Sequence, residues 1–189
     1  MIGTRVQLIG GVLSLAAIAL TARLGAAVTA PNEPATQVPA AEESSSRLIE
    51  QVRAATAIFR DVNQAVGYTP FGGCVTGPEE GAMGVHFVNP EFLRDGELDV
   101  KKPEALIYEF KNGIARLVGV EYIVDAAQWD AAHPEPPVPP VLEGQLFHFT
   151  ESPNRFRLPA FYELHVWAWR DNPNGAFVDW NNKVSCEGK

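Results

Sequence analysis

The sequence predicts an α+β domain, with one long N-terminal helix packed on a mostly antiparallel curved sheet or small β-barrel. Three observations predict it. Apolar residues recur at helical spacing between Leu48 and Val66, and apolar runs beyond Gly67 alternate at period two. An Asn112-Gly113 dipeptide sits between two of those runs.

Taken in order, the chain opens with Arg5, an apolar run from Leu8 to Leu20 and the small residues "LGAAVTA". Charged, apolar and small-residue regions in that order mark residues 1–30 as a secretory signal peptide. The run is shorter than the roughly 20 residues that span a bilayer, so no stable membrane insertion is expected after cleavage. Such a chain is expected to be secreted, or to reside in the periplasm or cell envelope. Residues 31–43, "PNEPATQVPAAEE", have no apolar period and read as a flexible leader. The remaining stretch, 44–189, is expected to fold as a single globular domain.

That domain starts with the stripe Leu48, Val52, Ala55, Phe59, Val62 and Val66, one face of a helix that Ser46 can cap and Gly67 can end. Ala82–Val88 then alternates Met83, Val85 and Phe87 against Gly84, His86 and Val88. "EALIYEFKNGIARLVGVEYIV" reads as a hairpin, because both central residues of a type I′ turn need positive φ, which Asn-Gly tolerates. Pairing outward from the turn sets Lys111 opposite Ile114, Glu109 opposite Arg116 and finally Glu104 opposite Glu121. Two facing carboxylates repel unless a cation or a shared proton sits beside them.

Residues 131–144 carry five prolines between Pro134 and Pro140, a density that favours an extended surface loop. "QLFHFT" reads as a strand, and so does "YELHVWAW". In the latter, Tyr162, Leu164, Val166 and Ala168 form a core face, while Glu163, His165, Trp167 and Trp169 point the other way. "DNPNGAFVDWNNKVSC" reads as a turn at 173–175, a short strand and a tail.

Charge and cysteine content narrow the function. Fifteen Lys and Arg residues, less Arg5 and Arg23, against 23 acids give a mature charge of −10. So acidic a chain repels phosphate backbones, and nucleic acid is not expected as a partner. The two cysteines, Cys74 and Cys186, lie downstream of the export signal and are expected to form a structural disulfide. From Gly67 onward the only serines are Ser152 and Ser185, and neither lies in a nucleophile turn. There is no phosphate-cradling loop, no H-E-x-x-H and no dinucleotide fingerprint.

What remains is a set of His and Glu residues on strands. His86 and Glu121 each have a glycine two positions earlier on the same face, leaving space beside them. Glu163 and His165 share a face at i, i+2, a spacing that lets a strand offer two ligands to one ion. If these faces meet, His86, Glu121 and His165 form a two-histidine, one-carboxylate site. Glu163 then serves as a fourth ligand or a hydrogen-bonding support. Such a set suits copper, iron, zinc or manganese without choosing among them. Tyr108, Trp167 and Trp169 are expected to wall the pocket. His148, between Phe147 and Phe149, is a weaker alternative ligand, and His133 reads as a solvated loop residue.

"EEGAMGVHFVNP", "PEALIYE", "LVGVEYIV" and "FYELHVWAWRDNPNGAFVDWNNKVSC" together resemble an uncharacterised family of small secreted bacterial proteins, over roughly residues 52–186. The resemblance implies export and a single domain; no activity, cofactor or site residue comes with it. There is also a distant architectural likeness to the cupin barrel, which binds metal on strands. The H-x-H of the usual first cupin motif is not present, since Val88 stands two after His86. Three functions remain in play: transition-metal binding at the His/Glu pocket, a metal-free binding module for a small apolar or aromatic ligand, and a cell-envelope interaction domain. The expected partner is a metal ion or a small molecule.

Overall fold

The computed structural model describes residues 40–77, 79–134 and 138–188. The expected signal peptide and residues 31–39 of the expected leader lie outside them. Helix α1 (Ala40–Thr56) begins within the stretch read as leader, so Ser46 is interior to the helix and not its cap. Glu42 and Glu43 stand in its first turn and Arg53 in its last, which complements the helix dipole. Leu48 and Val52, one turn apart, are fully buried. The helix stops at Thr56, well before Gly67. There the Thr56 hydroxyl donates back to the Val52 carbonyl and accepts from Trp169 Nε1, which favours a break in the helical ladder. Two 3₁₀ turns, Ala57–Arg60 and Val62–Gln64, follow. The expected apolar stripe therefore fails at its end, and Val66 is 83% exposed.

Among the described residues eight strands follow: β1 (Thr69–Gly77), β2 (Gly81–Val88), β3 (Ala105–Lys111), β4 (Ile114–Asp125), β5 (Val141–Leu142), β6 (Gln145–Leu146), β7 (His148–Thr150) and β8 (Phe161–Val166). Two short helices are inserted, α2 (Phe92–Asp95) and α3 (Ala126–Ala132); the Asp125 carboxylate caps α3 by accepting from Gln128 N–H. Six strands form a curled antiparallel half-barrel in the order β1-β2-β3-β4-β8-β7, and β5 and β6 pair separately. This is the expected α+β class. Strand β1 was not anticipated. The segment after Gly175 forms no strand and meets the sheet through an isolated bridge from Asn181 to Ala82. The expected loop at 131–144 is shorter than its sequence suggests, because α3 claims residues up to Ala132 and β5 starts at Val141. Among the described residues, no helix is long and apolar enough to cross a membrane.

The Asn-Gly hairpin forms as read, with φ of 53° at Asn112 and 75° at Gly113, and with Lys111 opposite Ile114 and Glu109 opposite Arg116. The Glu109 carboxylate nevertheless takes its cation from Arg170, which follows β8, and accepts from Ser185 N–H. One face of the sheet carries Leu106, Tyr108, Val120, Tyr122, Leu164 and Val166 against Leu48 and Val52 of α1. That face is the main core.

Glu104 does not stand opposite Glu121, because β4 contains an extra residue and Glu121 pairs with Ala105. The Glu104 carboxylate instead accepts from Ile123 N–H at 2.9 Å and is 1% exposed. Burial pushes its pKa up to about 8 from an ordinary 4.5. The folded state thus binds this proton more tightly than the unfolded chain does. Its stabilising contribution is complete below about pH 4.5 and is lost as pH rises through 8. Glu104→Gln keeps the acceptor and removes the charge. It is expected to raise stability at pH 8 by on the order of a few kcal/mol, at 1.36 kcal/mol per pKa unit, with little change at pH 4. Urea midpoints across that range check this. A variant as pH-sensitive as the wild-type protein would place the cause elsewhere.

Candidate metal centre

A single extra residue assembles the site. Along the β3–β4 ladder, Tyr108 pairs with Leu117 and Ile107 with Gly119, which leaves Val118 as a β-bulge. The bulge reverses the alternation of β4. Leu117 packs in the helix-side core, and beyond the bulge Val120, Tyr122 and Val124 do. Val118 packs on the opposite face with Ile107 and Trp167. Without the extra residue Glu121 would share a face with Leu117 and point at the helix. With it, Glu121 pairs with His165 of β8 and lies on the face that holds His86 of β2.

The glycines near these residues do not leave open space. A Cβ on Gly84 (φ +99°) would stand 2.8 Å from the Tyr108 carbonyl, and one on Gly119 would stand 2.8 Å from the Val166 carbonyl. Both glycines admit a neighbouring backbone.

His86 Nε2 lies 3.3 Å from Glu121 Oε2. His165 Nδ1 lies 3.8 Å from Glu121 Oε1, from Glu163 Oε2 and from Asp179 Oδ1. One ligand atom from each of His86, Glu121 and His165 falls within a 4.8 Å group. Ligand bonds of about 2.0–2.2 Å put two atoms on one ion roughly 3.0–3.6 Å apart at right or tetrahedral angles, and about 4.2 Å apart when opposite. The 3.3 Å and 3.8 Å separations from Glu121 fall in that span, and 3.8 Å is too long for a hydrogen bond. Neither ring nitrogen of His165 has a hydrogen-bond partner among the described residues, although the residue is 1% exposed.

The cluster carries less charge than its composition suggests. Burial pushes the His86 pKa down to about 4. His165 is held well below the ordinary histidine value by burial, then by His86 and His148. Glu121 is raised well above the ordinary carboxylate value, by burial first and then by Glu163. At neutral pH the His86 imidazole is therefore uncharged, and the His86–Glu121 contact is not an ion pair. Uncharged imidazole is the form that binds metal.

Of the residues expected at the site, His86, Glu121, His165 and Glu163 share one face; the Glu163 carboxylate is oriented by the Thr150 hydroxyl, which donates to it. Trp167 also lies there. Its ring stacks 6.0 Å from that of His165, and its Nε1 donates to the Val178 carbonyl. Tyr108 and Trp169 do not line the site. Tyr108 is set on the helix side by its pairing with Leu117, and its hydroxyl donates to the Phe59 carbonyl. Trp169 crosses over because β8 ends at Val166. Ala168 N–H then turns back to the Val166 carbonyl, and Trp169 reaches Thr56 on α1.

Asp179 was not anticipated. It lies in a segment without strand periodicity, which the Asn181–Ala82 bridge and the Cys74–Cys186 disulfide hold against this face. It also links to His148, whose Nδ1 is 3.1 Å from the same carboxylate oxygen. His148 thus stands behind the cluster and not in it. His133 is exposed and stacks on Trp129, as a loop residue would.

Protein-family models, curated proteins and solved structures give no match to this chain. Its function must be read from this chemistry.

Proposed function

We propose that the chain is an exported metal-binding domain. His86 and His165 supply imidazole nitrogens and Glu121 supplies the charge for one copper, iron, zinc or manganese ion. The observation that carries this reading is His165, an imidazole buried among three carboxylates at 3.8 Å with neither nitrogen hydrogen-bonded among the described residues. An unsatisfied buried polar group costs about 1–3 kcal/mol, and a structural histidine normally avoids that by bonding a neighbour. An ion among these groups would satisfy the ring and offset the carboxylate crowding. Glu163, fixed by Thr150, is placed to complete the set or to orient it. The disulfide fits an oxidising compartment outside the cytosol.

Two histidines and one carboxylate commonly leave coordination positions free, which allows chemistry on a small molecule as well as metal capture. Elemental analysis tests the proposal, on protein from residue 31 onward, exported in native form and purified without chelator or affinity metal. About one equivalent of copper, iron, zinc or manganese per chain is expected. No metal, before or after incubation with each ion, would overturn the reading.

A further inference from the structure

The face that holds the cluster also carries a small apolar cleft, half-open to solvent. Its inner polar residues are His86 and Glu121, and the rest of its lining is apolar, including Phe71, Leu93, Ile123, Phe156, Leu158 and Phe161. The walls come from separate elements: Phe71 from β1, Leu93 from α2, Ile123 from β4, and Phe156 and Leu158 from the loop before β8. That loop is fastened in place. The Asn154 side chain accepts from Phe156 N–H and Leu158 N–H and donates to the Glu151 and Leu158 carbonyls. Arg155 reaches across to the Thr76 carbonyl on β1. Among the described residues, no lysine or arginine lines the cavity. At its inner end the carboxylates of Glu163 and Asp179 lie behind Glu121 around His165.

We infer that the cavity binds a compact, uncharged aromatic compound with one oxygen or nitrogen donor, its ring among the phenylalanines and its donor at His86 and Glu121. This deepens the metal reading by naming what approaches the ion, and it rests on that reading only for the polar end. The apolar walls select a ring, because buried apolar area is the dominant favourable term for such a ligand. The clustered carboxylates and the absence of a lining cation select against an anion. A phenol has the required shape and one polar end.

Binding of 4-fluorophenol, followed by ¹⁹F NMR on the metal-free and the zinc-loaded protein, tests this, with 4-fluorobenzoate as the anionic comparison. Saturable 4-fluorophenol binding is expected, at least about tenfold tighter than the benzoate. Phe156→Ala and Phe71→Ala should each weaken it by about tenfold, the equivalent of 1.4 kcal/mol. Phe156 is half-buried and Phe71 is 44% exposed, so both variants should melt near the wild-type temperature. No saturable binding in either state, equal binding of the benzoate, or unchanged affinity in both folded variants would overturn the inference. Phe156-dependent binding in a protein that takes up no metal would sink the metal reading and keep this one. Metal uptake without phenol binding would do the reverse.

Discussion

His165→Phe is expected to lose the metal and to make the metal-free protein more stable. The imidazole occupies a site of 1% exposure with neither nitrogen bonded among the described residues. A ring of similar size without nitrogens removes that penalty, a gain of about 1–3 kcal/mol. His165→Ala also removes the ligand, but it leaves a void and should cost roughly 2–4 kcal/mol. Both variants should therefore bind no metal, with stabilities shifted in opposite directions. In the wild-type protein, zinc at a hundredfold excess over Kd should add about 2.7 kcal/mol, and in either variant nothing. Denaturant midpoints with and without zinc, together with metal content, read all of this. A His165→Phe protein that is destabilised and still holds metal would make His165 an ordinary core residue. The expected pattern is that of a functional group retained at a cost to the fold.

The fold was legible where local rules act alone. Asn112-Gly113 fixed its hairpin, and the period-two alternation of Tyr162–Val166 fixed both faces of β8, because each depends on adjacent residues only. Reading failed where one residue changes a phase. The bulge at Val118 shifts Glu104 away from Glu121, and yet that bulge brings Glu121 to the histidines. Gly119, a glycine inside a strand pattern, was the available signal for it. The same kind of phase change after Val166 sent Trp169 to the helix. At Thr56 the helix ended early because a distant tryptophan holds the hydroxyl, a tertiary contact that helical periodicity cannot express. The candidate ligands were found because residue chemistry and face were both local. Asp179 was missed because its position depends on how the C-terminal segment is tied across the sheet.

That tie leads to the other large effect, the expected loss of about 4–5 kcal/mol when Cys74 and Cys186 are both replaced by serine. The bridge spans 112 residues, and in the chain-entropy account closing a loop of about 100 residues restricts the unfolded chain by that amount. The folded site should be far less affected. Between Asp179 and Cys186, Asn181 exchanges two backbone hydrogen bonds with Ala82, and Ser185 N–H is held by Glu109. On the other side of Asp179, Trp167 Nε1 donates to the Val178 carbonyl at 2.6 Å, and Trp167 N–H donates to the Ala176 carbonyl. Asp179 is thus fixed from both directions before the chain reaches the cystine. Well below its lowered melting temperature, the serine double variant should keep its metal stoichiometry, with affinity changed less than about tenfold, or 1.4 kcal/mol. If it stays folded and loses its metal, the disulfide positions the site directly, and these intervening hydrogen bonds are too weak to do so alone. If it keeps its metal and melts much earlier, the bridge acts on the unfolded chain and the bulge-built face is sufficient for the centre.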